Sequence, residues 1–260
     1  MSSEPSFFQI SYNIFLQYWP MFLKGTIVTL ILAIAGTLTG TVIGLLIGVV
    51  RTIPTHPHDS TFKKILLKIL NIILTIYIEV FRGTPMIVQS MVIFYGVPIL
   101  FGIKLGVFQA AYFIVSINTG AYMSEIVRGG ILSIDKGQFE ASSSIGMSHF
   151  QTMVNVVMPQ VIRNILPATG NEFVINIKDT SVLNVIGVSE LFFASKSIAG
   201  NNFKYFEVYL ITSIIYLICT YSVTQLLRFA ERRIEGRDSY TIHGSTTLTD
   251  SKFEIRPGRS

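Results

Sequence analysis

The sequence predicts an all-α transmembrane protein, and three observations carry that expectation. Gly25 to Val50 contains no charged residue, and as a helix rising ~1.5 Å per residue it reaches ~39 Å, past the ~30 Å of a hydrocarbon layer. Val208 to Leu227 is a second uncharged stretch, bounded by Glu207 on one side and by Arg228, Arg232 and Arg233 on the other. Only 13% of the 260 residues are charged while 50% are hydrophobic, too few charges to coat a water-facing surface. The net charge of +5 does not imply nucleic acid, because Lys and Arg sit at span ends and in short loops, where membrane orientation requires them. The single cysteine, Cys219, lies in an apolar stretch, which excludes an internal disulfide and a cysteine-based metal site.

Residues 1–23 carry Phe7, Phe8, Tyr12, Phe15, Tyr18 and Trp19, an aromatic composition suited to the headgroup layer, and are expected to form an interfacial segment. They lack a basic n-region, so the first span, about 25–50, is expected to stay in the mature protein. That span places Gly36, Gly40, Gly44 and Gly48 at intervals of four, near one helix face, which predicts close approach of another helix. The polar loop Arg51 to Lys64 holds His56 and His58, two ligand types without a nearby third, and reads as solvent-facing.

A second span, about 68–101, is interrupted by Glu79, Arg82 and the helix-breaking Gly83-Thr84-Pro85. It reads as one long kinked helix, with two short crossings joined at Gly83 as the alternative. A third span covers about 107–128. The fourth, about 161–191, holds Asn164, Asn171, Glu172, Asn176, Lys178 and Asp179 and must line a protein interior or a wet path. The fifth is about 206–228, which closes a permease domain over 24–235, and the Ser/Thr/Gly-rich residues 236–260 are expected to be a disordered cytoplasmic tail. Basic residues cluster after the first span (Arg51, Lys63, Lys64, Lys68), after the third (Arg128, Lys136, Arg163) and after the fifth. This density places the N-terminus outside and the C-terminus in the cytoplasm.

The interval of about 135–159 contains the string EASSSIGMSHFQTMVNVVMP, from Glu140 to Pro159. Glu140 to Ser144 suits a short helix, Gly146 breaks it, and Ser148 can cap a second helix ending before Pro159. Such a knob suits docking, and it lacks the acids, bases and nucleophiles of a catalytic centre. The four histidines, His56, His58, His149 and His243, all fall in loops or the tail, which argues against a membrane-embedded hydrolase. No Gly-x4-Gly-Lys-Ser/Thr loop occurs, so ATP hydrolysis must reside elsewhere.

The string resembles the EAA loop of ABC importer permeases: Glu140-Ala141 and Gly146 match in spacing, Val156 stands for Ile, Met158-Pro159 for Leu-Pro, and Ser142 replaces the second Ala. YIEVFRGTPMIVQ (Tyr77 to Gln89) and LPATGNEFVINIKDTSVLNVIGVSEL (Leu166 to Leu191) are similar to the permeases of polar amino-acid importers. The resemblance covers about Met21 to Glu235. It implies a five-helix type I importer permease fold in the bacterial cytoplasmic membrane, with a coupling loop in which Glu140, Ala141 and Gly146 meet an ATPase. It also implies a second, identical or different, permease subunit, two cytoplasmic ATPase subunits that hold ATP and Mg, and an external substrate-binding protein. The chain itself would then hold no cofactor and catalyse no reaction, its other contact being membrane lipid. A channel or gradient-driven transporter is the competing reading.

A free amino acid brings an ammonium and a carboxylate into a setting where an unpaired charge costs at least ~2.5 kcal/mol. Arg82, at the Gly83-Thr84-Pro85 break, is the expected carboxylate partner. Glu172 is the expected ammonium or side-chain-cation partner, with Thr84, Gln89 and Asn118 as neutral contacts and a lean toward arginine or histidine. The competing reading pairs Arg82 and Glu172 with each other or with Glu79, Lys178 and Asp179 to hold helices together. Lys178 and Asp179, adjacent and on different sides of a helix, read as structural.

Overall fold

The computed structural model describes residues 6–235 apart from His56 and His58; these two histidines, His243 and the expected tail at 236–260 lie outside the described residues. Its helices are α1 (Phe7–Arg51), α2 (Thr61–Gly83), α3 (Met86–Phe101), α4 (Val107–Leu132), α5 (Lys136–Ser144), α6 (His149–Thr152), α7 (Met158–Asp179), α8 (Leu191–Asn202) and α9 (Tyr205–Glu235). A π-helical turn, Met153–Val157, joins α6 to α7, and a 3-10 segment, Thr180–Ile186, follows α7.

The most extensive helix contact is α1 against α4, and glycine explains it. A Cβ at Gly36 would lie 2.3 Å from Val115 Cγ1, at Gly40 2.6 Å from Thr119 Cβ, at Gly44 2.4 Å from Met123 Cβ and at Gly48 2.5 Å from Val127 Cγ1. The four-residue step on α1 therefore meets a four-residue step on α4, a ladder that small residues alone permit. Ile34, Leu38, Val42 and Leu46, each two positions from a glycine, are exposed on the other side of α1 as an apolar row.

α1 has 45 residues, ~67 Å at ~1.5 Å per residue, and runs without interruption from Phe7 through the expected boundary at 23/24. Its first part is held by protein: Ile14 and Phe22 are buried with Leu191, Ile198, Val208 and Ile211 of α8 and α9. Tyr18 adds a 3.3 Å hydrogen bond from its hydroxyl to Asn202 Oδ1. The aromatic residues that suggested a headgroup layer thus also fasten α1 to the α8–α9 end.

The second span is two helices. Gly83 ends α2, Thr84 is extended (φ −123°, ψ 148°) and Pro85 starts α3, because proline supplies no N–H to continue the ladder. The fourth span is also broken. The helix gives way to the 3-10 segment at Thr180, Gly187 takes φ +87°, and α8 departs at 55°. The expected bound at 191 is the start of α8, and the fifth helix extends past 228 to Glu235. Among the described residues, α1 and α9 alone are long and apolar enough to cross a membrane unaided, with the bent α7–α8 stretch as a third. α4 is less apolar because it is central: Ser116, Asn118, Thr119 and Ser124 face protein and are buried.

Candidate functional site

The break between α2 and α3 lies beside the middle of α4: Asn118, which contacts it, is 11 residues after Val107 and 14 before Leu132. A break leaves backbone carbonyls without partners, a serious cost away from water. Gln89 removes it, its Nε2 lying 2.9 Å from Phe81 O, 2.8 Å from Thr84 O and 2.9 Å from Thr84 Oγ1, so that its two N–H groups are shared among the three acceptors. Asn118 Nδ2 in turn donates to Gln89 Oε1 at 2.9 Å, and Thr84 Oγ1 donates to Val80 O at 2.7 Å. Tyr77, one turn before Phe81, donates its hydroxyl to Ile117 O. Thr84, Gln89 and Asn118 are therefore brought together, and their hydrogen bonds fix the break to α4.

Arg82 stands at the same break on the exposed side, its guanidinium carbon 5.6 Å from the centroid of the Tyr122 ring. Glu172 is half-buried on α7, a helix that packs on α1, α4 and α9. Among the described residues the ion pairs are Arg51–Glu125, Arg128–Glu125 and Lys63–Asp59. None of them includes Arg82, Glu172, Glu79, Lys178 or Asp179, so no helix-holding ion pair of these charges forms among the described residues. Glu172 and Asp179, seven residues apart, share one face of α7.

Two buried polar residues hold the interrupted helices: Asn176, expected to line a protein interior or a wet path, and Glu190, which no motif singled out. Asn176 Nδ2 donates to Thr37 Oγ1 at 2.8 Å and to Thr119 Oγ1 at 2.9 Å, joining α7 to α1 and α4. Neighbouring residues of α4, Asn118 and Thr119, thus serve both broken spans, which meet again where α3 lies on the 3-10 segment. Glu190 is fully buried at the start of α8. It accepts from Phe192 N at 2.8 Å, Phe193 N at 2.7 Å and the Tyr216 hydroxyl of α9 at 3.1 Å. Beside it, Gly25 lies so close that a Cβ would come 2.8 Å from Leu191 Cα. Glu190→Ala leaves those three donors unpaired, a loss on the order of 1–3 kcal/mol, and should lower the thermal midpoint of the purified protein by several degrees. An unchanged midpoint would remove Glu190 from the framework. The nearest sequence signal was an acid followed by an apolar helix, which is the pattern of an N-cap.

The coupling loop follows α4. Its first helix begins at Lys136, and Gly146, at φ +81°, closes it with Met147 N donating to Ser142 O and Gly146 N to Ser143 O, both at 3.0 Å. Ser142, in place of the second Ala, is buried, and its hydroxyl donates to Gln138 O at 2.7 Å. Ser148 caps α6 as expected, accepting from Gln151 N while its own N–H donates to Gln151 Oε1 at 2.8 Å. The second helix does not end before Pro159. Proline cannot donate to the carbonyl four residues back, so the preceding turn widens to π spacing, Met158 N reaching Met153 O, and the chain continues into α7. Glu140 and Ala141 are exposed on α5, and at the tip Ile145 and Phe150 are 77% and 75% exposed.

Residues 65–236 match the family model of the binding-protein-dependent transport system inner membrane component. The chain belongs to that family. This permease is 41% identical over 168 residues, 64% of its length and 77% of the relative's, to the glutamine transport system permease protein GlnP of Escherichia coli (strain K12). It is 35% identical over 162 residues, 62% of its length and 74% of the relative's, to the arginine transport system permease protein ArtQ of Bacillus subtilis (strain 168). A crystal structure of an amino acid ABC transporter with histidines aligns with TM-score 0.72 and 37% identity, covering 84% of this permease and 96% of that chain. The MetNI methionine ABC transporter, in an inward-facing conformation, aligns with TM-score 0.63 at 22% identity, over 82% and 94%, which extends the fold likeness. The all-α, type I importer permease fold is that of these neighbours, and the permease is a membrane subunit of an ABC importer.

Proposed function

We propose that this permease carries a polar amino acid, of the arginine, glutamine or histidine kind, through a path that passes Arg82 and Glu172. The observation that carries this reading is the helix break beside the middle of α4, which leaves Arg82 exposed and without a carboxylate among the described residues. A guanidinium there offers a bidentate contact to the α-carboxylate, and Glu172 offers the opposite charge to an ammonium or cationic side chain. Gln89, Thr84 and Asn118 support the site by fixing the break and contact the substrate only where their remaining acceptors allow. The names of the relatives in glutamine and arginine transport agree with this substrate class. The N-terminus lies outside and the C-terminus in the cytoplasm of a bacterial cell. Two permease subunits, identical or different, form the path, two ATPase subunits holding ATP and Mg dock on the 140–159 loop, and an external binding protein delivers the solute.

Direct binding of labelled amino acids to the detergent-purified complex without its binding protein tests the site, because the delivery step is then absent. Arg82→Ala should weaken binding by on the order of 10- to 100-fold and Arg82→Lys by less, since a lysine keeps the charge and loses the fork. Equal affinity of wild type and Arg82→Ala would refute the carboxylate contact.

A further inference from the structure

The surface of α2 divides into three lengthwise sectors. Tyr77, Ile78 and Phe81 turn toward α4 and are partly or fully buried, while Leu66, Ile69, Ile73 and Val80 form an exposed apolar sector. At 100° per residue, Lys64, Lys68, Asn71, Thr75, Glu79 and Arg82 fall within one sector of ~80° between them. Its end nearest the coupling loop borders a cavity of about 620 Å³ lined by Thr55, Lys64, Leu67, Lys68, Asn71, Ile72, Thr75 and Ile76.

Depth orders the chemistry of this cavity. Phe81 sits at the break, beside the middle of α4. Counting back along α2 at ~1.5 Å per residue, Ile76 lies ~7 Å, Ile72 ~13 Å, Lys68 ~20 Å and Lys64 ~26 Å from it. Half a hydrocarbon layer is ~15 Å, so the two ammonium groups reach the phosphate layer while the two isoleucines remain in the acyl region. One i, i+4 row therefore reads cation, cation, apolar, apolar from the surface inward. Lys64 Nζ donates to Pro57 O at 2.7 Å, which fixes the loop that closes the surface end.

We infer that this groove binds one anionic phospholipid of the leaflet on the coupling-loop side: its phosphate between Lys64 and Lys68, an acyl chain along Ile72 and Ile76. The occupant follows from charge complementarity at the phosphate depth and from the apolar wall continuing below it. Lipid here braces α2, the helix whose far end carries Arg82. The inference does not depend on which amino acid is carried.

The test is lipid retention measured by native mass spectrometry on the purified complex, exchanged with phosphatidylglycerol or phosphatidylcholine. The wild type should retain phosphatidylglycerol in preference to phosphatidylcholine. Lys64→Gln/Lys68→Gln should reduce retained phosphatidylglycerol by about tenfold or more, whereas Arg232→Gln/Arg233→Gln, a basic pair on α9, should leave most of it. Equal losses from the two basic pairs, meaning diffuse attraction, or full retention by the α2 double variant would overturn the site. The double variant should bind the transported amino acid with wild-type affinity, which separates this result from a failure at Arg82.

Discussion

Gly44→Leu abolishes assembly of the permease. A Cβ at residue 44 would stand 2.4 Å from Met123 Cβ, 2.7 Å from the Met123 carbonyl carbon and 2.8 Å from Ser124 N, and two of those three atoms are backbone. No rotamer change relieves such a contact, so α1 must move off α4 and pull the rungs at Gly40 and Gly48 with it. Inserting bulk into a packed interior typically costs ~1–3 kcal/mol, and here the whole α1–α4 seam is displaced. Membrane-fraction yield of the folded complex should fall by about tenfold or more. Gly200→Ala is the matched control, since nothing lies within 4 Å of its added Cβ, and it should express normally. Comparable yield from Gly44→Leu and Gly200→Ala would contradict the ladder.

Phe150→Asp uncouples the importer while leaving the permease folded. Phe150 is 75% exposed at the tip of the coupling loop, beyond the membrane-crossing part of α4, and Ile145 beside Gly146 is 77% exposed. Two large apolar side chains held outward on a capped, hydrogen-bonded knob are the composition of a buried contact with another protein. A carboxylate in that contact costs several kcal/mol of desolvation, enough for a loss of substrate-stimulated ATPase activity of on the order of 100-fold. Thermal stability of the isolated permease should change little, because the side chain touches solvent. Wild-type stimulation in Phe150→Asp would move the docking contact elsewhere.

How far the sequence reaches depends on whether the partner of a residue is near it in the chain or far away. The glycines at 36, 40, 44 and 48 announce a close helix contact, and the capping serine at 148 announces a helix start, because both signals are periodic or local. That the glycines meet Val115, Thr119, Met123 and Val127 is not legible from either segment alone. Gln89 and Asn118 are conspicuous as polar residues in apolar stretches, but their hydrogen bond joins positions 29 apart, and no pattern indicates that they serve the helix break. Asn176 is the stronger case, bonding to Thr37 across 139 positions. The fourth span reads as one segment because its hydropathy is continuous, while the 3-10 turn at Thr180, which packs against α3, and the left-handed Gly187 divide it.

The two interrupted spans give the transport reading its physical basis. α4 holds the α2–α3 break through Asn118 and α7 through Thr119, and it continues into the loop that carries Glu140 and Gly146. A displacement of the loop is therefore applied to the same helix that fixes both breaks, a short route for rigid-body motion. In the function proposed above, closure of a partner ATPase on this loop drives a polar amino acid past Arg82. Uptake of labelled arginine and glutamine into proteoliposomes that hold the permease, its ATPase and an added binding protein tests it most directly, with ATP enclosed or omitted and ion gradients collapsed. Accumulation above the external concentration is expected only with enclosed ATP and is lost in Phe150→Asp. Gradient-driven uptake without ATP, or ATP-driven uptake intact in that variant, would contradict it.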